Sequence, residues 1–371
     1  MHTTKTIRDP IHGDIEVSEL ELRFLDSPQM QRLRRIKQLS FCSLIYPGAN
    51  HTRFEHSLGT MHIAGKMATS AGLDEDESKK IRLAALVHDV GHLPYSHSLE
   101  SVLERTHEEI GRHILENSEL SDIIAENYPK KELSNILTGK GPGKIISSQI
   151  DADRIDYLAR DSHYTGVAYG VVDIERIIKV TRLRKSKLCF LEKGMTALES
   201  LLVGRNLMFS AVYFHHTVRI AEAMLQNAVE QIKEQLEFEA LIEMGDDDLR
   251  ELIKNHKGGN EIFKLLDDRK LYKLAYNWNK SMKKDELICS LSKKGLCEKG
   301  VDINKLIIRE VRVPHNISSD LSILTDEGVV PISNISSIVD SLDLELKKLE
   351  GTEIYSPKSA KDVVAEVCTT L

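Results

Sequence analysis

Aromatic side chains make up only 5% of the 371 residues, and basic residues do not outnumber acidic ones: 50 Lys and Arg against 57 Asp and Glu leave a formal charge of −7. Nucleic-acid polymers are held by basic surfaces that neutralise phosphates, and single strands by aromatic stacking platforms, so both scarcities argue against a nucleic-acid binder. Any anionic ligand must then be met by a local basic pocket. The five cysteines, Cys42, Cys189, Cys289, Cys297 and Cys368, include no Cys-x-x-Cys pair. That spacing argues against both a disulfide framework and a zinc ribbon, and predicts reduced, mostly buried thiols. No apolar run approaches the roughly 20 residues that span a bilayer. The start, MHTTKTIRDP, lacks the apolar core of a signal peptide. The expected compartment is the cytoplasm, with no membrane contact.

What is present is helical periodicity, from about residue 15 to residue 295. In DSPQMQRLRRIKQLSF, Ser27 is a predicted N-cap, Pro28 fits the first turn, and Met30, Leu33, Ile36 and Leu39 form an apolar stripe. RLAALVHD reads as a helix ended by Gly91 and Pro94, and DADRIDYLARD as another. The stretch from Ala197 to Leu236 reads as one long helix, or two joined near Gly204. Strand-like alternation is confined to the N-terminal start, the stretch near Lys187 to Leu191, and the part after Val301, where KLIIREVRVP and TEIYS read as strands between helices. The predicted fold is mainly α: a helical core over residues 1–235, a helical accessory lobe over 236–300, and a small C-terminal α/β region over 301–371. TGKGPGK, from Thr138 to Lys144, lacks both the spacing and the preceding strand of a phosphate-binding loop and reads as a turn.

One stretch asks for a chemical explanation. LAALVHDVGHLPYSH sets His88 and Asp89 at the end of an apolar helix and follows them with His92 and His97. Burying an imidazole and a carboxylate beside Leu86 and Val87 is costly without compensation, and at a helix end both can converge on one ion beyond the last turn. Upstream, Arg53 and His56 share a helix face at i and i+3; downstream, Asp153 and Tyr157 do so at i and i+4, with Arg154 and Asp161 beside them. Mixed imidazole and carboxylate donors suit Fe, Mn, Zn, Co or Ni better than Ca.

HTRFEHSLG, LVHDVGHLPYSH and DADRIDYLARD, in that order, resemble the HD-domain phosphohydrolase superfamily, as does DPIHGDIEVSELELRFLDSPQMQRLRRIKQL. More narrowly they are similar to the deoxynucleoside triphosphate triphosphohydrolase branch that includes the sterile-alpha-motif and HD-domain enzyme. The likeness covers about residues 5 to 230, and no sterile-alpha-motif domain is recognisable. It implies that His56, His88, Asp89 and Asp153 ligate the catalytic metal, with Mg accompanying the substrate. It places His92 and His97 beside the α-phosphate, gives His107 a neighbouring role, and makes His97 the proton donor to the departing sugar oxygen. Where the family pattern has Asp near these histidines, this chain has Glu100, and where the pattern has Lys it has Arg154.

Arg53, Arg154 and Arg205 are candidates to clamp phosphates through paired hydrogen bonds, each with a surface salt bridge as its ordinary alternative. The resemblance further implies that Gln38, Tyr157, Asp161 and Tyr213 hold the sugar, with Tyr213 packing under the ribose where a 2'-hydroxyl would clash. His215 and His216 flank that position, and at least one is expected to face the cleft. Lys5, Asp26, Gln31 and Arg34, with Arg176 beside them, match a guanine-nucleotide regulatory pattern; equally, Asp26 could cap the next helix and Arg34 be solvated. The expectation is a metal-dependent phosphohydrolase that cuts deoxynucleoside triphosphates into deoxynucleoside and triphosphate, is open to activation by GTP or dGTP, and assembles as a homodimer or homotetramer. Its alternatives are an HD-domain phosphohydrolase or phosphodiesterase for another nucleotide, or a nucleotide-sensing scaffold with little turnover.

Overall fold

Ser27 does cap the helix Pro28–Arg32, its side chain accepting from the Met30 N–H, with Pro28 in the first turn. The helix is shorter than its apolar stripe predicts. A 3-10 turn, Leu33–Arg35, follows, and Ile36 is already extended. Met30, Leu33 and Ile36 are fully buried, while Leu39 lies beyond the helix. The chain leaves helical geometry because it pairs with the segment leading into the next helix: Arg53 N–H donates to Ile36 O and Gln38 N–H to His51 O, each at 3.0 Å.

The computed structural model describes residues 5–313 and 321–371. The fold is mainly α, as expected. The chain forms two units: residues up to Met208 with Glu237–Leu249 and 321–342, and Phe209–Leu236 with 250–313 and Asp343–Leu371. This division is interleaved, whereas the sequence suggested three consecutive segments. Segments distant in the chain complete the four-stranded and three-stranded sheets, and such pairing leaves no local sequence signal.

In the first unit an antiparallel hairpin pairs Lys5–Asp9 with Gly13–Val17. The long helices Arg53–Ala71, Glu75–Val87, Ala152–Thr165 and Met195–Met208 follow. A four-stranded sheet orders Thr181–Arg184, Lys187–Leu191, Ser322–Thr325 and Gly328–Pro331, with the middle pair parallel. In the second unit the buried strand Gly351–Ser356 lies between Lys273–Trp278 and Ile307–Val311, antiparallel to both. The strand Lys273–Trp278 corrects the all-helical reading of residues 236–300: its partner lies some way along the chain. Trp278, Leu287, Leu291, Ile354 and Val364 form the core of this unit.

TGKGPGK contains a 3-10 turn at Gly141–Ile145. Cys42, Cys189 and Cys368 are buried and Cys289 and Cys297 exposed, all as free thiols. Among the described residues, no helix is long and apolar enough to cross a membrane.

The predicted long helix breaks at a π turn, Phe209–Tyr213, rather than at Gly204. Gly204 is a packing position, since a Cβ there would lie 2.6 Å from the Tyr169 carbonyl oxygen. Gly204→Ala therefore separates the two readings. A weak point in a helix would gain about 0.5–1 kcal/mol from Ala. The close contact is expected instead to cost about 1–3 kcal/mol, read as a lower urea midpoint at unchanged slope.

Candidate active site

Three helix ends in the first unit supply the donors. His56 lies in the first turn of Arg53–Ala71, whose entry is set by a capping box between Thr52 and Glu55. His88 is the C-cap of Glu75–Val87 and Asp89 follows it. Asp153 lies in the first turn of Ala152–Thr165, capped by Asp151, which accepts from the Arg154 N–H at 2.8 Å.

These ends converge. His56 Nε2 is 3.0 Å from Asp153 Oδ1 and 3.7 Å from Asp89 Oδ2. His88 Nε2 is 3.2 Å from Asp89 Oδ1 and 3.6 Å from Asp153 Oδ1. The expected set of His56, His88, Asp89 and Asp153 is thus brought together.

The donor chemistry fits a cation. His88 Nδ1 lies 2.7 Å from the Ala85 carbonyl, which can only accept, so Nδ1 carries the proton and the Nε2 lone pair is left to the centre. That Nε2 is buried without a hydrogen-bond partner among the described residues. Burial opposes the Asp89 charge, but His88, Arg53 and His92 hold its carboxyl well below the usual range. Burial likewise opposes ionisation of Asp153, and the hydrogen bond from His56, with the nearby His88 imidazole, reverses that effect. On His56, burial disfavours the imidazolium, yet hydrogen bonds to Asp153 and Asp156 raise its pKa to about 10. His88 is raised as well, with burial overcome by the Asp89 charge. A site that draws protons onto its imidazoles in this way offers a divalent ion the same electrostatic place.

Behind the ligands lies a buried network that sequence reasoning missed. Asp156 Oδ2 takes His56 Nδ1 at 2.8 Å, and Asp156 Oδ1 lies 2.6 Å from His12 Nε2. Arg160 spans Asp156 at 2.9 and 3.0 Å and reaches Asp9 Oδ2 at 2.8 Å. Asp9 in turn accepts from the N–H groups of Ile11 and His12, closing the hairpin turn. Gly59 makes room for this network, since a Cβ there would lie 1.8 Å from Asp156 Oδ1. The available signal was Asp156 and Arg160 at i and i+4, on the helix that carries Asp153.

A second group adjoins the first. His92 Nε2 is 3.3 Å from Asp89 Oδ1, and its ring stacks on His107 at 4.1 Å. Glu100 Oε1 accepts from His97 Nδ1 at 2.7 Å and from His107 Nδ1 at 2.9 Å. Glu100 thus partners these histidines although the family pattern has Asp. Burial raises its pKa and the two histidines more than reverse that, to about 2. His107 is raised, with burial overcome by its bond to Glu100, while burial together with Arg53 and His107 pushes His92 well down. Gly91 lets His107 approach: a Cβ there would lie 2.0 Å from the His107 carbonyl oxygen.

The arginine candidates are engaged. Arg53 donates to Asp89 at 2.5 Å and to Ser96 at 2.8 Å, Arg154 pairs with Asp151, and Arg205 donates to Gln149 at 3.2 Å. Asp161 is buried against His51 at 2.7 Å, and the His51 carbonyl takes the Gln38 N–H, so His51 links two of the sugar candidates. The Tyr157 ring stands 6.4 Å from that of His56. Tyr213 lies in the second unit, its ring 5.3 Å from Phe209; His215 accepts from the Thr217 N–H at the head of the helix His216–Glu230.

Among the regulatory candidates, Gln31 Oε1 accepts from Arg34 Nε at 3.0 Å, and the Arg34 guanidinium covers the Phe54 ring at 3.6 Å. Gln31 Nε2 also donates to Leu25 O. Asp26 is exposed, with capping done by Ser27, Lys5 is exposed on the first strand, and Arg176 donates to Lys193 O at 2.6 Å.

Comparison with known proteins identifies the family. The HD domain matches residues 53–161 and the HD associated region residues 172–371. An uncharacterized protein of Methanocaldococcus jannaschii is 40% identical over 95% of this chain and 79% of its own length. The deoxynucleoside triphosphate triphosphohydrolase SAMHD1 homolog of Dictyostelium discoideum is 33% identical over 78% of this chain, which spans 62% of that protein. The chain also spans 44% of human SAMHD1, at 30% identity. A crystal structure of a hypothetical protein from Aquifex aeolicus superposes with a TM-score of 0.82 at 29% identity, over 99% of this chain and 100% of that one. A phosphohydrolase from Bacteroides thetaiotaomicron gives 0.79 at 26% identity, over 95% and 100%.

Asp156 fixes the His56 tautomer, so Asp156→Asn is expected to lower Mn(II) affinity about 10- to 100-fold in calorimetric titration. Gly59→Ala, which displaces Asp156 and Arg160, is expected to act in the same direction. Since ions and protons compete for His56, Mn(II) affinity is expected to rise with pH towards the His56 value of about 10.

Proposed function

The chain belongs to the HD-domain phosphohydrolase superfamily, and from that premise we propose that it hydrolyses deoxynucleoside triphosphates between the 5'-oxygen and the α-phosphorus. The products are deoxynucleoside and triphosphate. The observation that carries this reading is the adjacency of two groups: a metal-ligand set, and through Asp89 and His92 a carboxylate-supported pair of histidines. Relatives named as deoxynucleoside triphosphate triphosphohydrolases support the choice of substrate.

His56, His88, Asp89 and Asp153 would hold a divalent ion, from among Fe, Mn, Zn, Co and Ni, which supplies Lewis acidity and acidifies water when bound. Arg53, bonded to Asp89, holds that carboxylate in place and brings positive charge to the phosphates. Glu100 keeps the proton on His107 and orients His97, whose Nδ1 donates to it. His97, its side chain 65% exposed, presents a proton to the leaving 5'-oxygen. His92 is pushed towards its neutral form by burial first, and stands between Asp89, 3.3 Å from its Nε2, and the His107 ring on which it stacks. Arg154 and Arg205 supply charge for the β- and γ-phosphates. Gln38, Tyr157 and Asp161 read the sugar, and unpaired polar groups there would reject a poor match.

Regulation by GTP or dGTP falls to Lys5, Asp26, Gln31, Arg34 and Arg176. Support comes from Arg34 lying on Phe54, next in sequence to Arg53 in the first turn of the metal-bearing helix. Assembly as a homodimer or homotetramer belongs to the same proposal.

The test is product analysis by ion-exchange chromatography and phosphorus NMR after incubation with each dNTP and Mn or Mg, with and without GTP. Triphosphate and deoxynucleoside are expected, and no product from His88→Ala. Pyrophosphate or inorganic phosphate instead would contradict the reaction and assign the site to another nucleotide chemistry. His97→Ala is expected to lower kcat about 10²- to 10⁴-fold. Glu100→Gln removes the charge that raises His107, so the alkaline limb of the kcat profile is expected to move to lower pH.

A further inference from the structure

We infer that His92, His97, Glu100 and His107 form a second metal site, suited to a zinc-class divalent ion and separate from the His56, His88 and Asp153 set. Each of the four offers one ligand atom, and these atoms all lie within 4.8 Å of one another. Donors around a tetrahedral zinc, with bonds of about 2.0–2.2 Å, stand roughly 3–3.5 Å apart, so modest side-chain rotation closes the site. Part of that closure exists already, with His97 Nδ1 and His107 Nδ1 converging on one Glu100 oxygen at 2.7 and 2.9 Å.

A second observation is independent of those bonds. His92 is 2% exposed, and with Nε2 turned to Asp89 its Nδ1 is buried with no hydrogen-bond partner among the described residues. A buried imidazole with an unsatisfied nitrogen, inside a cluster of ligand-type side chains, is what a bound ion would relieve.

The backbone holds the cluster together. Tyr95 and Ser96 both take left-handed φ values of 56°, just before His97, and Gly91 admits the His107 helix. Three imidazoles and one carboxylate favour Zn, Co or Ni over Mg or Ca, and the exposed side of His97 offers an entry path. The functional consequence rests on the hydrolytic reading above. An ion here takes the nitrogens on which the proton donors depend, so excess zinc inhibits the reaction while the first site stays loaded.

The test measures metal rather than activity. Full-length protein is dialysed to equilibrium against Zn(II), and bound metal is counted by mass spectrometry, beside a His88→Ala/Asp153→Ala variant and a Glu100→Ala/His107→Ala variant checked by circular dichroism. Two equivalents are expected in the unaltered protein and one in each variant. A single equivalent that vanishes with His88→Ala/Asp153→Ala and survives in Glu100→Ala/His107→Ala overturns the second site and leaves the first intact. The opposite pattern keeps the second site and overturns the first. Two equivalents retained without Glu100 and His107, or no binding at all, also overturns the inference. Should a variant not fold, Co(II) titration of the unaltered protein decides: two successive increments of visible absorption support the second site, and saturation after one refutes it.

Discussion

A carboxylate removed from water stays ionised only where positive charge or donated hydrogen bonds replace its hydration. Two buried carboxylates, Asp89 and Asp156, and a third at the rim, Asp153, surround His56. The arrangement divides the labour. Asp156 is answered within the protein by Arg160 and His12, whereas Asp89, bonded to Arg53, shares the His56 and His88 Nε2 atoms with Asp153. The first is structural support, and the second is the donor set that a divalent ion suits.

Much of the surrounding backbone follows from that support. The N-terminal hairpin delivers Asp9 and His12 to Arg160 and Asp156, so a small sheet at the start of the chain bears, through Asp156, on the ligand His56. Gly59 and Gly91 are glycines because Asp156 and the His107 helix respectively occupy the space a Cβ would need. Both contacts join segments far apart in the chain. Within the first unit, precision at the ligands is therefore a property of packing between helices, and a change of one methyl group at either glycine should be felt at the imidazoles.

The candidate ligands could be picked out in the sequence because they lie at three helix ends, in three motifs whose order resembles the HD-domain superfamily. His88 and Asp89 converge as the helix-end argument anticipates. Asp156, His12 and His51 were not legible. Their roles depend on partners 100 to 144 residues away, and no local period records such pairings. The same reason hid the strand Lys273–Trp278, whose partner strand begins at Gly351, and the early end of the helix at Arg32, where pairing with the segment before Arg53 overrides an apolar stripe. Gly204 misled because propensity favours a break at glycine, while its real role is a close approach to Tyr169.

The central claim is that His56, His88, Asp89 and Asp153 bind a divalent ion. Anomalous diffraction at the manganese edge, from crystals grown with Mn(II), tests it most directly. The account expects a strong anomalous peak bonded to both imidazole Nε2 atoms and to an oxygen of each aspartate. Well-ordered side chains without a peak there at saturating Mn(II), or manganese bound only elsewhere, would contradict it.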